Sequence, residues 1–126
     1  MKTKFFRCDH CKNIILKVDD KGVPVVCCGE AMKELKANTT DGAKEKHVPA
    51  VTVEGNKVSV VVGEVAHPML EEHHIAWIFV ETTNGSQIKY LEHTGAPEAQ
   101  FVLAEGEKLV AVYEYCNLHG LWVKEA

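Results

Sequence analysis

The sequence predicts an all-β chain in two parts, a small cysteine-rich unit followed by a β-sandwich. Three observations carry that reading. Short runs of valine, isoleucine and aromatic residues recur from Val48 onward, separated by glycine and asparagine turn signals. Four of the five cysteines (Cys8, Cys11, Cys27, Cys28) crowd into the N-terminal part. A polar stretch, residues 33–46, lies between those cysteines and the strands and reads as a linker. At 126 residues the chain is long enough for one compact domain and a small appendage.

Residues 1–36 are expected to form the appendage. Asn13 to Val18 reads as a strand, Asp19 to Gly22 as a turn, and Val23 to Val26 as a returning strand. Such a hairpin brings the Cys8-x-x-Cys11 knuckle and the Cys27-Cys28 pair to one end, with Gly29 free to relieve backbone crowding. So short a unit cannot build a sufficient apolar core, and a metal held by four thiolates would supply much of its folding energy. Adjacent cysteines share one peptide unit, so the tetrathiolate would be distorted. Spacing alone does not separate zinc from iron.

From residue 37 to 126 the expectation is a sandwich of immunoglobulin-like type. Pro49 to Val53 and Lys57 to Val62 flank Glu54-Gly55-Asn56, and Ile75 to Thr82 and Gln87 to Leu91 flank Asn84-Gly85. Phe101 to Leu103 and Lys108 to Tyr115 follow, separated by Gly106. Alternation predicts Val58, Val60 and Val62 on one inner face and Ile75, Trp77 and Phe79 on the other.

Composition narrows the function. Apolar residues make up 46% of the chain, but no run approaches the ~20 residues a bilayer span needs. The net charge is −4 and lysine and arginine do not cluster, so no nucleic-acid footprint is present. The first residues contain no apolar stretch of signal type, and an odd cysteine count with an adjacent pair argues for metal thiolates over disulfides. A reducing cytoplasm is the expected compartment. Asn38-Thr39-Thr40 matches a glycosylation acceptor, which in that compartment is a chance match.

The fifth cysteine organises the second part. Cys116 and His119 stand three apart, followed by Gly120, so a tight turn can aim a thiolate and an imidazole at one ion. His47, His67 and either His73 or His74 sit near strand ends and can converge on the same point; both faces of the strand after His74 are apolar, so pattern does not choose between them. His10 and His93 read as surface histidines.

Taken together, Cys8-x-x-Cys11, Cys27-Cys28-Gly29-Glu30-x-Met32, Lys44-Glu45-Lys46-His47-Val48-Pro49, Ala66-His67-Pro68-Met69, His73-x-Ile75-x-Trp77-Ile78 and Tyr115-Cys116-Asn117-x-His119-Gly120-Leu121-Trp122 resemble desulfoferrodoxin, the two-iron form of superoxide reductase, over essentially the whole chain. The resemblance implies a desulforedoxin-like domain at 1–36 with Fe(Cys)4 from Cys8, Cys11, Cys27 and Cys28. It implies a superoxide reductase domain at 37–126, with Fe(His)4(Cys) formed by equatorial His47, His67, His73 and His119 and axial Cys116. The family spacing of six between the second and third histidines selects His73. His74 stands where relatives often have tyrosine and Ala76 where glutamate is common. Lys46 is implied to attract superoxide and order water for proton delivery, and Glu45 to occupy the sixth position once the iron is ferric. The resemblance further implies a homodimer, rubredoxin as electron donor, and superoxide detoxification in an anaerobe or microaerophile.

The residue types suit one-electron reduction of superoxide, which needs a redox metal with a position left open. Competing readings are a rubredoxin-like electron carrier with one iron, a binding module with two structural zincs, and a superoxide dismutase, which would release dioxygen.

Overall fold

The computed structural model describes residues 1–126 as two compact units, Met1–Lys36 and Ala37–Ala126. In the first, β1 (Phe5–Arg7), β2 (Ile14–Leu16) and β5 (Lys33–Glu34) form an antiparallel sheet in the order β2-β1-β5, and β3 (Val26–Cys27) pairs with β4 (Glu30–Ala31). The hairpin expected between Asn13–Val18 and Val23–Val26 does not form. β2 instead pairs with β1, Phe5 opposite Leu16 and Arg7 opposite Ile14. The cysteine knuckle itself makes that turn: Lys12 donates to the Cys8 carbonyl at 3.0 Å, and Cys8 N–H to the Asn13 carbonyl at 2.9 Å. Pro24 has no N–H to give a ladder, and the Lys17 ammonium takes the Val23 carbonyl at 2.8 Å. The Asp19–Gly22 turn does form, closed by Gly22 N–H on the Asp20 carboxylate.

Residues 33–46 are more structured than a linker. Lys33 and Glu34 pair with Arg7 and Phe6 in β5. Lys44–His47 makes one helical turn, α1. Asn38 between them acts as a surrogate strand: its side chain accepts from Val123 N–H at 2.9 Å and donates to the Val123 carbonyl at 3.2 Å. That amide is therefore committed to backbone pairing.

The second unit contains β6 (Pro49–Glu54), β7 (Lys57–Val62), β8 (Ile75–Thr82), β9 (Ser86–Tyr90), β10 (Glu98–Val102), β11 (Leu109–Cys116) and β12 (Gly120–Glu125). A three-stranded sheet, β10-β7-β6, faces a four-stranded one, β12-β11-β8-β9. Side chains of both sheets interlock in one core: Val58, Val60, Val62 and Phe101 from the first, Ile75, Ile78, Val80, Val112 and Cys116 from the second. The chain is nearly all β, as its patterning predicts. β12 was not foreseen; it is the return strand of a hairpin whose turn is Asn117–His119.

The inner face of β8 departs from simple alternation. Ile75 pairs with Cys116 but Trp77 pairs with Tyr115, so Ala76 is an extra residue, and its carbonyl accepts from Leu91 N–H instead. This bulge reverses the strand's phase. Ile75, Ile78 and Val80 point into the core, whereas Trp77 and Phe79 lie on the opposite face against Tyr115 and Tyr113, at ring centroid distances of 5.6 and 6.0 Å. Ile78→Ala is expected to destabilise the protein by about 2–5 kcal/mol. Val102→Ala, at a position 64% exposed, should change stability by less than about 0.5 kcal/mol; guanidinium unfolding midpoints check both.

Candidate metal centres

All five donors of the larger cluster lie at one end of the sandwich. Pro49 opposite Val62, and Ile75 and Gly120 opposite Cys116, mark that end in the strand register. His47 closes α1 just before β6, His67 and His73 lie on the loop from β7 to β8, Cys116 ends β11, and His119 sits in the turn to β12. Two glycines permit the convergence. A Cβ on Gly63 would lie 2.7 Å from the Glu45 carbonyl oxygen, so only glycine lets the β7–β8 loop press against α1. Gly120 has φ +81° and takes the left-handed turn after His119.

The donor atoms of His47, His67, His73, Cys116 and His119 all lie within 4.8 Å of one another. Successive rings in the order 47, 67, 73, 119 and back to 47 have centroids 4.7, 4.6, 5.0 and 4.7 Å apart and cross at 73–86°. The imidazoles therefore form a closed ring of four. His47 Nδ1 donates to the Ala43 carbonyl at 2.8 Å and His67 Nδ1 to the Pro68 carbonyl at 2.7 Å. Those bonds place the protons outward and leave bare Nε2 lone pairs inward. The two Nε2 atoms are 3.1 Å apart, and His47 Nε2 is 3.0 Å from His119 Nδ1. His73 Nε2 is buried without a hydrogen-bond partner.

This arrangement fits a metal ion. Four nitrogens at ~2.1 Å from a common ion on the corners of a square are ~3.0 Å apart along each edge. Cys116 Sγ lies 3.4 Å from His67 Nε2 and 3.8 Å from His119 Nδ1, two opposite corners. The sulfur thus belongs to the same donor set, near the His67 and His119 corners. It also accepts from His119 N–H at 3.4 Å.

Burial tunes these groups. It holds His47 and His73 below the ordinary imidazole range and lowers His67 to about 4, so the rings are neutral and ready to donate at neutral pH. It raises the Cys116 thiol, so metal uptake there releases a proton. The sequence reading missed Glu114, which is fully buried, lies on the inner side between Val112 and Cys116, and has no partner for either carboxyl oxygen. Burial raises its pKa to about 9, keeping it neutral. Its signal in the sequence is a lone acid in the core phase of β11. Glu45 and Lys46 are exposed on α1 and outside the donor set. The Lys46 charge nonetheless helps to lower both His47 and His73.

His74 is not a donor: its Nδ1 bonds the Leu70 and Glu71 carbonyls. His10 is exposed and bridges to Glu30 at 3.2 Å, while His93 is half-buried with its ring 6.0 Å from that of His74.

The sulfurs of Cys8, Cys11, Cys27 and Cys28 also lie within 4.8 Å of one another, with Cys11–Cys27 at 3.5 Å and Cys27–Cys28 at 4.0 Å. A tetrahedron of sulfurs ~2.3 Å from an ion has edges of ~3.8 Å. Cys28 adopts φ +52° beside Gly29 at +78°, so the cysteine itself shares the crowding expected to fall on the glycine. The Cys11 N–H lowers Cys8 to about 6, whereas contacts with Cys11 and Cys8 push Cys28 up to about 12. Cys8 ionises readily whereas Cys27 and Cys28 resist; a shared cation would favour the thiolate form at each sulfur.

A unit that gathers four cysteine sulfurs and an immunoglobulin-like sandwich that gathers four imidazoles and one cysteine sulfur define a two-centre, non-haem iron protein class. The desulfoferrodoxin family model matches residues 39–125. The chain is 48% identical to desulfoferrodoxin from Nitratidesulfovibrio vulgaris across 98% of this chain and 96% of that one. It is 44% identical to a desulfoferrodoxin homolog from Archaeoglobus fulgidus, covering 93% and 92%. Among solved structures, the superoxide reductase from Treponema pallidum superposes with a TM-score of 0.84 at 40% identity, covering 99% of this chain and 100% of that one. The chain belongs to the desulfoferrodoxin family, and its two donor sets fit that family's two iron centres.

Cys116→Ser is expected to reduce iron content from two per chain toward one, and Cys8→Ser to do the same at the other centre. Iron quantitation with visible spectra checks both: each variant should lose a different band.

Proposed function

We propose that this chain is a superoxide reductase. The observation that carries the reading is the five-donor set, four imidazoles and one cysteine sulfur, which would hold iron and leave a sixth position for substrate. The family membership and the likeness to a superoxide reductase from Treponema pallidum support it. Iron held there supplies the electron in superoxide + e⁻ + 2 H⁺ → hydrogen peroxide.

The chain's own residues divide the remaining work. The outward protons of His47 and His67 keep their rings oriented and neutral. Cys116 is the single anionic donor. Lys46, exposed beside His47, raises the local concentration of a small anion and orders water for proton delivery. Glu45, next to it, would be the carboxylate available to the ferric ion once product has left. In this reading residues 1–36 form the Fe(Cys)4 domain and residues 37–126 the catalytic domain. A rubredoxin-like protein returns the electron, and the protein works as a cytoplasmic homodimer that removes superoxide in an anaerobe or microaerophile. A plain electron carrier would use only the four-cysteine unit and leave the five-donor set without a task.

Lys46→Ala should slow superoxide capture about 10-fold or more, equivalent to about 1.4 kcal/mol. Pulse radiolysis measures it, and an unchanged rate would rule out attraction by Lys46. Cys8→Ser should retain superoxide reduction with an artificial donor. Dioxygen evolved during superoxide decay would identify dismutation instead.

A further inference from the structure

Trp122 is fully buried and touches two donor residues that lie far apart in the sequence, His47 and His119. Its indole stacks on the His47 ring, centroids 4.9 Å apart and planes 23° from parallel. Its Nε1–H donates to the His119 backbone carbonyl at 3.1 Å. Thr40 Oγ1 donates to that same carbonyl, so both lone pairs of the His119 oxygen are engaged. On its far edge the indole meets Gly42, where a Cβ would lie 3.2 Å from both Trp122 Cζ2 and His47 Cε1. His47 is thus held flat between its own bond to Ala43 and the indole, while His119 is held through its backbone.

We infer that Trp122 is a positioning residue for the five-donor centre, locking the ring plane of His47 and the backbone that carries His119 so that both nitrogens meet one ion. The inference rests on the iron-site reading above but concerns how the site is held. A rotated imidazole cannot aim its lone pair at the ion. Removing the indole therefore weakens metal retention through geometry, without deleting a donor.

The test uses the full-length, iron-loaded protein and follows release of each iron to a chelator, well below the melting midpoint, together with the visible spectrum. Trp122→Leu removes stack and donor; Trp122→Phe keeps a ring to stack but lacks the N–H. Phe101→Leu, another fully buried core position, controls for lost packing. Trp122→Leu should release the five-donor iron about 10-fold faster or more and shift that centre's absorption band. Trp122→Phe should release it about threefold faster. Phe101→Leu should lower the melting midpoint yet leave release and band unchanged, and the four-cysteine iron should leave at the wild-type rate throughout. The inference is overturned if folded Trp122→Leu matches wild type in release and spectrum, or if Phe101→Leu speeds release equally. Should Trp122→Leu not fold, Trp122→Phe decides alone, and a wild-type rate in that variant overturns it. A wild-type protein that takes no iron at the five-donor centre defeats the functional reading as well, which separates the two failures.

Discussion

Nitrogen lone pairs that face one another with no proton between them are the constraint on which the second unit depends. His47 and His67 spend their Nδ1 protons on backbone carbonyls, so their Nε2 atoms meet at 3.1 Å as two acceptors. Uncompensated, that contact is repulsive, and burial removes the water that would relieve it. A shared cation turns the same geometry into a favourable one. Metal binding and correct folding of this end of the sandwich are therefore one event energetically.

The fold meets this constraint by separating support from chemistry. Core residues from both sheets fill the interior up to Cys116, whose sulfur is at once the last core group of β11 and a donor. The bulge at Ala76 matters here because it brings Ile75 opposite Cys116 while turning Trp77 to the other face. Donors then project from strand ends and short loops braced by backbone hydrogen bonds: Val65 N–H to the Glu45 carbonyl, His67 N–H to the Val62 carbonyl, His74 N–H to the Asn117 side chain. Rigid strand ends set the positions, and the loops need only short reaches.

The two centres show opposite strategies for holding charge. The sandwich offers four imidazoles and a single buried cysteine sulfur, so an iron there would keep much of its positive charge, which suits an anionic substrate. The small unit gathers four thiolates on largely exposed chain, where charge cancels and solvent screens the remainder. Glu114 sharpens the contrast: burial raises the pKa of its carboxyl to about 9 and keeps it uncharged in the core.

The sequence by itself pointed to two clusters of candidate metal donors, short of choosing between His73 and His74, and to the class of fold. Cys8-x-x-Cys11, Cys27-Cys28 and Cys116-x-x-His119 have spacings that few other chemistries require, and turn signals such as Asn84-Gly85 punctuate the strands locally. Most strand positions in the sandwich were readable for the same reason, since period-two alternation is a local property. What only the tertiary structure decided depends on partners distant in sequence. The N-terminal hairpin closes on the knuckle because β1 was available to pair. The phase of β8 flips because β11 carries one residue fewer across the bulge. His73 is a donor and His74 is not because carbonyls of Leu70 and Glu71 capture the His74 ring. Glu114 and Trp122 flank the centre because β12 folds back on β11, and no local pattern encodes which face a neighbouring strand will cover.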